Sequence, residues 1–86
     1  MDWKIEFTKQ SQKQFNSLDS SVKLRIKKYI LEKLIINPKL YLIPLLGDKS
    51  GFYKFRVGDY RLLCVREDLK YIITVVKVKH RKEVYK

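Results

Sequence analysis

The sequence of 86 residues is enough for one domain, expected to span 1–86, and too short to bury a thick core. Twenty Lys and Arg against nine Asp and Glu give a net charge of +11, and 45% hydrophobic content argues against disorder. No apolar stretch approaches the roughly 20 residues that cross a bilayer, the lone Cys64 excludes an internal disulfide, and MDWKIEF alternates at once rather than reading as a signal peptide, so the expected compartment is the cytosol with no membrane partner.

Trp3, Ile5 and Phe7 alternate with Asp2, Lys4 and Glu6, the period of a half-buried strand. Thr8 is an N-cap for a polar helix running to about Leu18, with a thin apolar stripe of Phe15 and Leu18. Asp19-Ser20-Ser21 breaks it and caps a second helix, in which Val22, Ile26, Tyr29, Ile30, Lys33 and Leu34 follow helical spacing until Asn37-Pro38 ends it. Residues 39–51 read as a loop. Phe52–Val57 and Tyr60–Arg66 are strands joined by Gly58-Asp59, a two-residue hairpin signal. After a turn at Glu67–Lys70, Tyr71–Val78 is a third strand rich in β-branched residues. The order β-α-α-β-β-β predicts an α+β domain: one antiparallel sheet with two N-terminal helices packed on one face and the other face partly open.

Charge excess alone is a modest argument for a nucleic-acid partner; the positions of the charges decide. A two-residue turn sets Arg56 opposite Arg61 and Lys54 opposite Leu63. Side-chain alternation then sends Lys54, Arg56 and Arg61 to one side of the sheet and Tyr53, Phe55, Leu62 and Cys64 to the other. Like charges across a strand pair cost up to about 1 kcal/mol, a cost the fold does not need, whereas a phosphate between them reverses its sign. The last strand runs beside the one carrying Arg61, and its exit delivers the only histidine, His80, with Arg81 next and Tyr85 about one helical turn further on. A group able to accept the ribose 2′-OH proton, one able to protonate the leaving 5′ oxygen, and cations for the charge that grows on phosphate are what metal-free RNA cleavage requires. A tyrosine there can stack on a base. One His and one Cys, neither among carboxylates, make no metal site, and no cofactor is expected.

The stretch YKFRVGDYRLLCV, the final HRKEVY, Leu45-Leu46-Gly47 ahead of the hairpin and the helix end at Asn37-Pro38 resemble the RelE branch of the RelE/ParE toxin superfamily, over essentially the whole chain. The resemblance implies a RelE-like microbial RNase fold and a toxin of a type II toxin–antitoxin system. Such a toxin cleaves mRNA in the ribosomal A site without metal or cofactor, and a RelB-like acidic antitoxin wraps it in a hetero-oligomer. It further implies catalytic roles for Lys54, Arg56, Arg61, His80, Arg81 and Tyr85, and RNA contacts from Lys54, Arg56, Arg61, Lys79, Arg81 and Tyr85. Lys79 stands where glycine is usual in this branch, and either Lys54 or His80 can be the general base. Two alternatives are a ParE-like inhibitor of DNA gyrase, a branch that shares the fold but lacks this basic set, and a non-catalytic protein that binds RNA or antitoxin.

Overall fold

The computed structural model describes residues 3–84. Its elements run β1 (Lys4–Phe7), α1 (Lys9–Asn16), α2 (Ser20–Tyr29) and, after a π-helical turn at Ile30–Leu34 that prolongs α2, α3 (Pro38–Tyr41). Then come β2 (Ile43–Pro44), β3 (Tyr53–Val57), β4 (Tyr60–Glu67), β5 (Ile72–His80) and α4 (Arg81–Val84). The five strands form one sheet in the order β1-β5-β4-β3-β2. This is the expected α+β fold with helices over one face.

Three local expectations are revised. The predicted loop at 39–51 contains structure: Pro38 opens a helical turn rather than merely ending one, as proline can at a first helical position. Ile43 and Pro44 then pair with Lys54 and Tyr53 as a short edge strand, and Pro44 blunts that edge because it has no N–H to offer a further strand. The first helix ends two residues earlier than expected, at Asn16, and Leu18 lies in the connection.

The sheet is antiparallel from β2 through β5, but β1 joins β5 in parallel, with Lys4 opposite Ile72 and Phe7 opposite Val75. The reason is parity. The helical hairpin returns the chain to the end of the sheet at which β1 left it, so β2 starts in the reverse direction. Three further reversals bring β5 alongside β1 in the same sense.

The core lies between the helices and one face of the sheet. Ile26, Ile30 and Leu34, spaced one turn apart, meet Phe55, Val57, Leu62, Cys64, Ile73, Val75 and Val78, all buried. Helix α1 docks differently. Its inner positions 11, 14 and 15 are Ser, Gln and Phe, and the two polar members bond to β5. The Ser11 hydroxyl, fully buried, donates to the Val75 carbonyl at 2.6 Å. The Val78 N–H donates to Gln14 Oε1 at 2.7 Å.

Those bonds mark an irregularity in β5. Leu63 faces Lys77, but the next residue, Cys64, faces Val75, so Val76 is an extra residue in a β-bulge. The bulge reverses the side-chain phase of the strand. Ile73 and Val75 point into the core, and so does Val78, three positions on rather than two. Without it, strict alternation would carry Lys77 and Lys79 inward and Val78 out.

Candidate functional site

The hairpin closes as its turn dictates. Gly58 takes φ +57°, the positive angle required at the first position of a primed two-residue turn. A Cβ there would stand 3.2 Å from Arg25 Nη1 on α2. The register is the one read from the sequence: Val57 opposite Tyr60, Arg56 opposite Arg61, Lys54 opposite Leu63.

Strand β5 extends these pairs into rows. Lys79 lies opposite Arg61 and Lys77 opposite Leu63. Arg56–Arg61–Lys79 therefore crosses three strands on the face away from the helices, and Lys54–Leu63–Lys77 crosses the same strands one row along. Neighbouring strands stand about 4.8 Å apart and the rows about 7 Å apart. The second row continues to Ile43 on β2. Five cations thus surround one leucine on the open face.

Over this face lies a groove of about 310 Å³. Its lining includes Leu45 and Lys49 from the segment between β2 and β3, together with Lys54, Arg61, Leu63 and Lys79 from the sheet. Lys54, Arg61 and Lys79 are half-buried. Arg56 is exposed at the hairpin's outer strand.

The tail reaches the hairpin, but its residues separate. The Arg81 backbone N–H donates to the Asp59 carbonyl at 2.6 Å, fastening the start of α4 to the Gly58-Asp59 turn. His80 lies opposite Tyr60 and shares the helix-side face with it. The two rings meet edge to face at 5.0 Å, and His80 Nδ1 accepts the Lys82 N–H at 3.1 Å. The register thus brings Lys54, Arg56, Arg61 and Lys79 onto one face, puts His80 on the other, and sets Arg81 at the turn. Tyr85 lies outside the described residues.

Sequence reasoning did not single out Leu45, Lys49, Leu63 or Lys77 for the site. Lys77 was legible in principle. The core positions Ile73 and Val75 followed by the alternation Lys77-Val78-Lys79 reveal a phase slip at Val75-Val76. Lys49 reaches the groove through a short 3₁₀ turn at Gly47–Lys49, for which no periodic pattern gives notice.

The family model described as "ParE toxin of type II toxin-antitoxin system, parDE" matches residues 5–85. No curated protein matches the chain. Among solved structures, the fold resembles the RelBE2 toxin–antitoxin complex of Mycobacterium tuberculosis, with a TM-score of 0.88 at 22% identity, covering 94% of this chain and 100% of that one. It also resembles the isolated RelE toxin of E. coli, with a TM-score of 0.74 at 28% identity, covering 96% and 90%. A third is the RelE–RelB complex of Pyrococcus horikoshii, with a TM-score of 0.71 at 28% identity, covering 94% and 97%.

Proposed function

The chain belongs to the ParE toxin family of type II toxin–antitoxin systems, within the RelE/ParE superfamily, and we propose that it is a ribosome-dependent endoribonuclease of the RelE kind. One observation carries this reading: the row Arg56–Arg61–Lys79, with Lys54 one row along, on an open sheet face beside a groove. A phosphodiester on such a row meets several cations at once, and its non-bridging oxygens gain negative charge as the bond breaks.

In the proposed reaction the ribose 2′-OH gives its proton to a base and its oxygen attacks the adjacent phosphorus. The bond from phosphorus to the next nucleotide's 5′ oxygen breaks as that oxygen takes a proton. The products are a 2′,3′-cyclic phosphate and a 5′-hydroxyl end. Arg61, central in its row, holds the phosphorane charge, with Arg56 and Lys79 to either side. Of the two candidates for the base, Lys54 shares the groove with Arg61, while His80 lies on the other face. We assign proton transfer to Lys54 and the positioning of the tail to His80, through its contacts to Tyr60 and Lys82.

The reading includes mRNA held in the ribosomal A site as substrate and a RelB-like acidic antitoxin as partner in a hetero-oligomer, all in the cytosol. Both complexes among the similar structures pair a RelE-type toxin with its antitoxin. The decisive experiment is in vitro translation on an mRNA carrying one 2′-deoxynucleotide at the scissile position. Cleavage of the all-ribose message, ended by that single deoxy substitution, is expected; continued cleavage of the deoxy message would sink the mechanism.

A second reading has its own support, since the matching family model is named for ParE. A gyrase inhibitor would stop DNA synthesis first on induction and leave mRNA intact. Pulse labelling that shows protein synthesis falling first favours the ribonuclease.

A further inference from the structure

We infer that the groove is a one-nucleotide subsite in which Leu45 and Leu63 receive the base while Arg61 and Lys79 hold its phosphate, with Lys49 closing the outer wall. This rests on the ribonuclease reading and goes beyond it, because a phosphate clamp alone needs no apolar surface. Leu63 occupies the middle of the second row, between Lys54 and Lys77. It is half-buried where a wet sheet face would ordinarily carry a polar residue. Leu45, also half-buried, faces the same groove and is fixed by its N–H donating to the Phe52 carbonyl at 2.9 Å.

The two rows match the two ends of a nucleotide. The first row presents Arg56, Arg61 and Lys79; the next, about 7 Å along, offers an apolar floor flanked by cations. A phosphate in the first sets its sugar and base over the second. The groove's 310 Å³ is at the small end of ligand sites, the scale of one nucleotide rather than of a helix or extended peptide. Every base presents an apolar face, so a leucine floor tolerates sequence and contributes affinity by taking apolar surface out of water. Charge complementarity selects the occupant: Lys49, Lys54, Arg61 and Lys79 line the groove, and among the described residues of its lining none is acidic.

The test is calorimetric titration of the full chain with adenosine 5′-monophosphate, adenosine and inorganic phosphate. The monophosphate is expected to bind about tenfold or more tightly than either fragment. Leu45→Ser should remove that margin while leaving phosphate binding in place, and Lys49→Ala should weaken monophosphate and phosphate together. Leu63→Ser should repeat the loss of margin. Leu45→Ser, lying outside the core, keeps the test valid should Leu63→Ser fail to fold. Equal binding of monophosphate and phosphate overturns the inference, as does a margin that survives Leu45→Ser. So does glutarate displacing the monophosphate as well as phosphate does, which would make the groove a seat for acidic side chains. The two proposals fail separately: a binding margin without ribosome-dependent cleavage removes the ribonuclease reading alone, and cleavage without the margin removes the subsite alone.

Discussion

Arg61 stands between Arg56 on one neighbouring strand and Lys79 on the other, the central position of the row that the proposed reaction sets around phosphate. Arg61→Ala is expected to lower ribosome-dependent cleavage by about 10²–10³ while leaving the fold intact. Lys54→Ala should fall as far in single-turnover rate. His80→Gln should cost less than about tenfold; a loss as large as that of Lys54→Ala would return proton transfer to the histidine. Cys64 gives a different test at the same scale. Burial pushes its thiol from 9.0 up to about 12, so it stays neutral in the native state while the unfolded chain ionises above about pH 9. Its contribution is fully present below that pH and is lost as pH rises toward 12. Denaturant unfolding should show the stability gap between wild type and Cys64→Ala narrowing from about pH 8 to about pH 11. A gap constant with pH would contradict it.

At the scale of elements, the bulge in β5 decides which face its lysines occupy, and α1 holds the bulge. Thr8 N–H and the Ser11 hydroxyl both donate to the Val75 carbonyl, and Gln14 accepts the Val78 N–H, so the backbone groups around Val76 have partners in α1. Gln14→Ala strands a half-buried donor and is expected to cost about 1–3 kcal/mol in urea unfolding. It should also weaken binding in the groove, since Lys77 and Lys79 depend on the strand's phase. Gln12→Ala, on an exposed side chain that donates across its own helix to Asn16, should stay within about 0.5 kcal/mol. This element also separates what could be read in the sequence from what could not. The register of the β3–β4 hairpin was legible to the residue, because a two-residue turn leaves one register and Gly58 supplies the backbone angle. The thin apolar stripe of α1 was seen, but not its purpose: Ser11 and Gln14 look like solvent positions until a bulged strand across the molecule needs their hydrogen bonds. The parallel pairing of β1 was hidden for a similar reason. Alternation at Trp3–Phe7 announces a strand and says nothing about which strand, 60 or more residues later, it will join. The site was legible where it rests on local register, as for Lys54, Arg56 and Arg61. It was not where long-range geometry acts, placing Lys49 in the groove and His80 on the far face.

For the whole molecule, the relevant length is the one over which its charge acts as a unit. The protein measures 32 × 30 × 23 Å and carries a net +11. In about 10 mM salt the Debye length is near 30 Å, so an approaching acidic chain feels the entire excess; at about 150 mM it is near 8 Å and only the nearest patch acts. The proposed antitoxin meets two kinds of surface. The open face with its rows of cations offers charge, and β1, at the edge opposite the proline-blunted β2, offers main-chain groups for strand addition. Edge pairing and apolar contact hold a complex together but depend little on salt, whereas the approach depends on it steeply. The two contributions therefore separate in kinetics. Stopped-flow mixing with the antitoxin should show the association rate falling about tenfold or more between about 10 mM and 150 mM salt, with the dissociation rate changing far less. Reversing Lys77 and Lys79 to glutamate, which lowers the net charge by four on one face, should remove most of that salt dependence. Equivalent reversals at Lys23 and Lys28 on α2 should remove less, because they lie on the helix layer, away from the rows of cations. An association rate indifferent to salt, or equally sensitive to both pairs, would mean that the open face does not guide the partner.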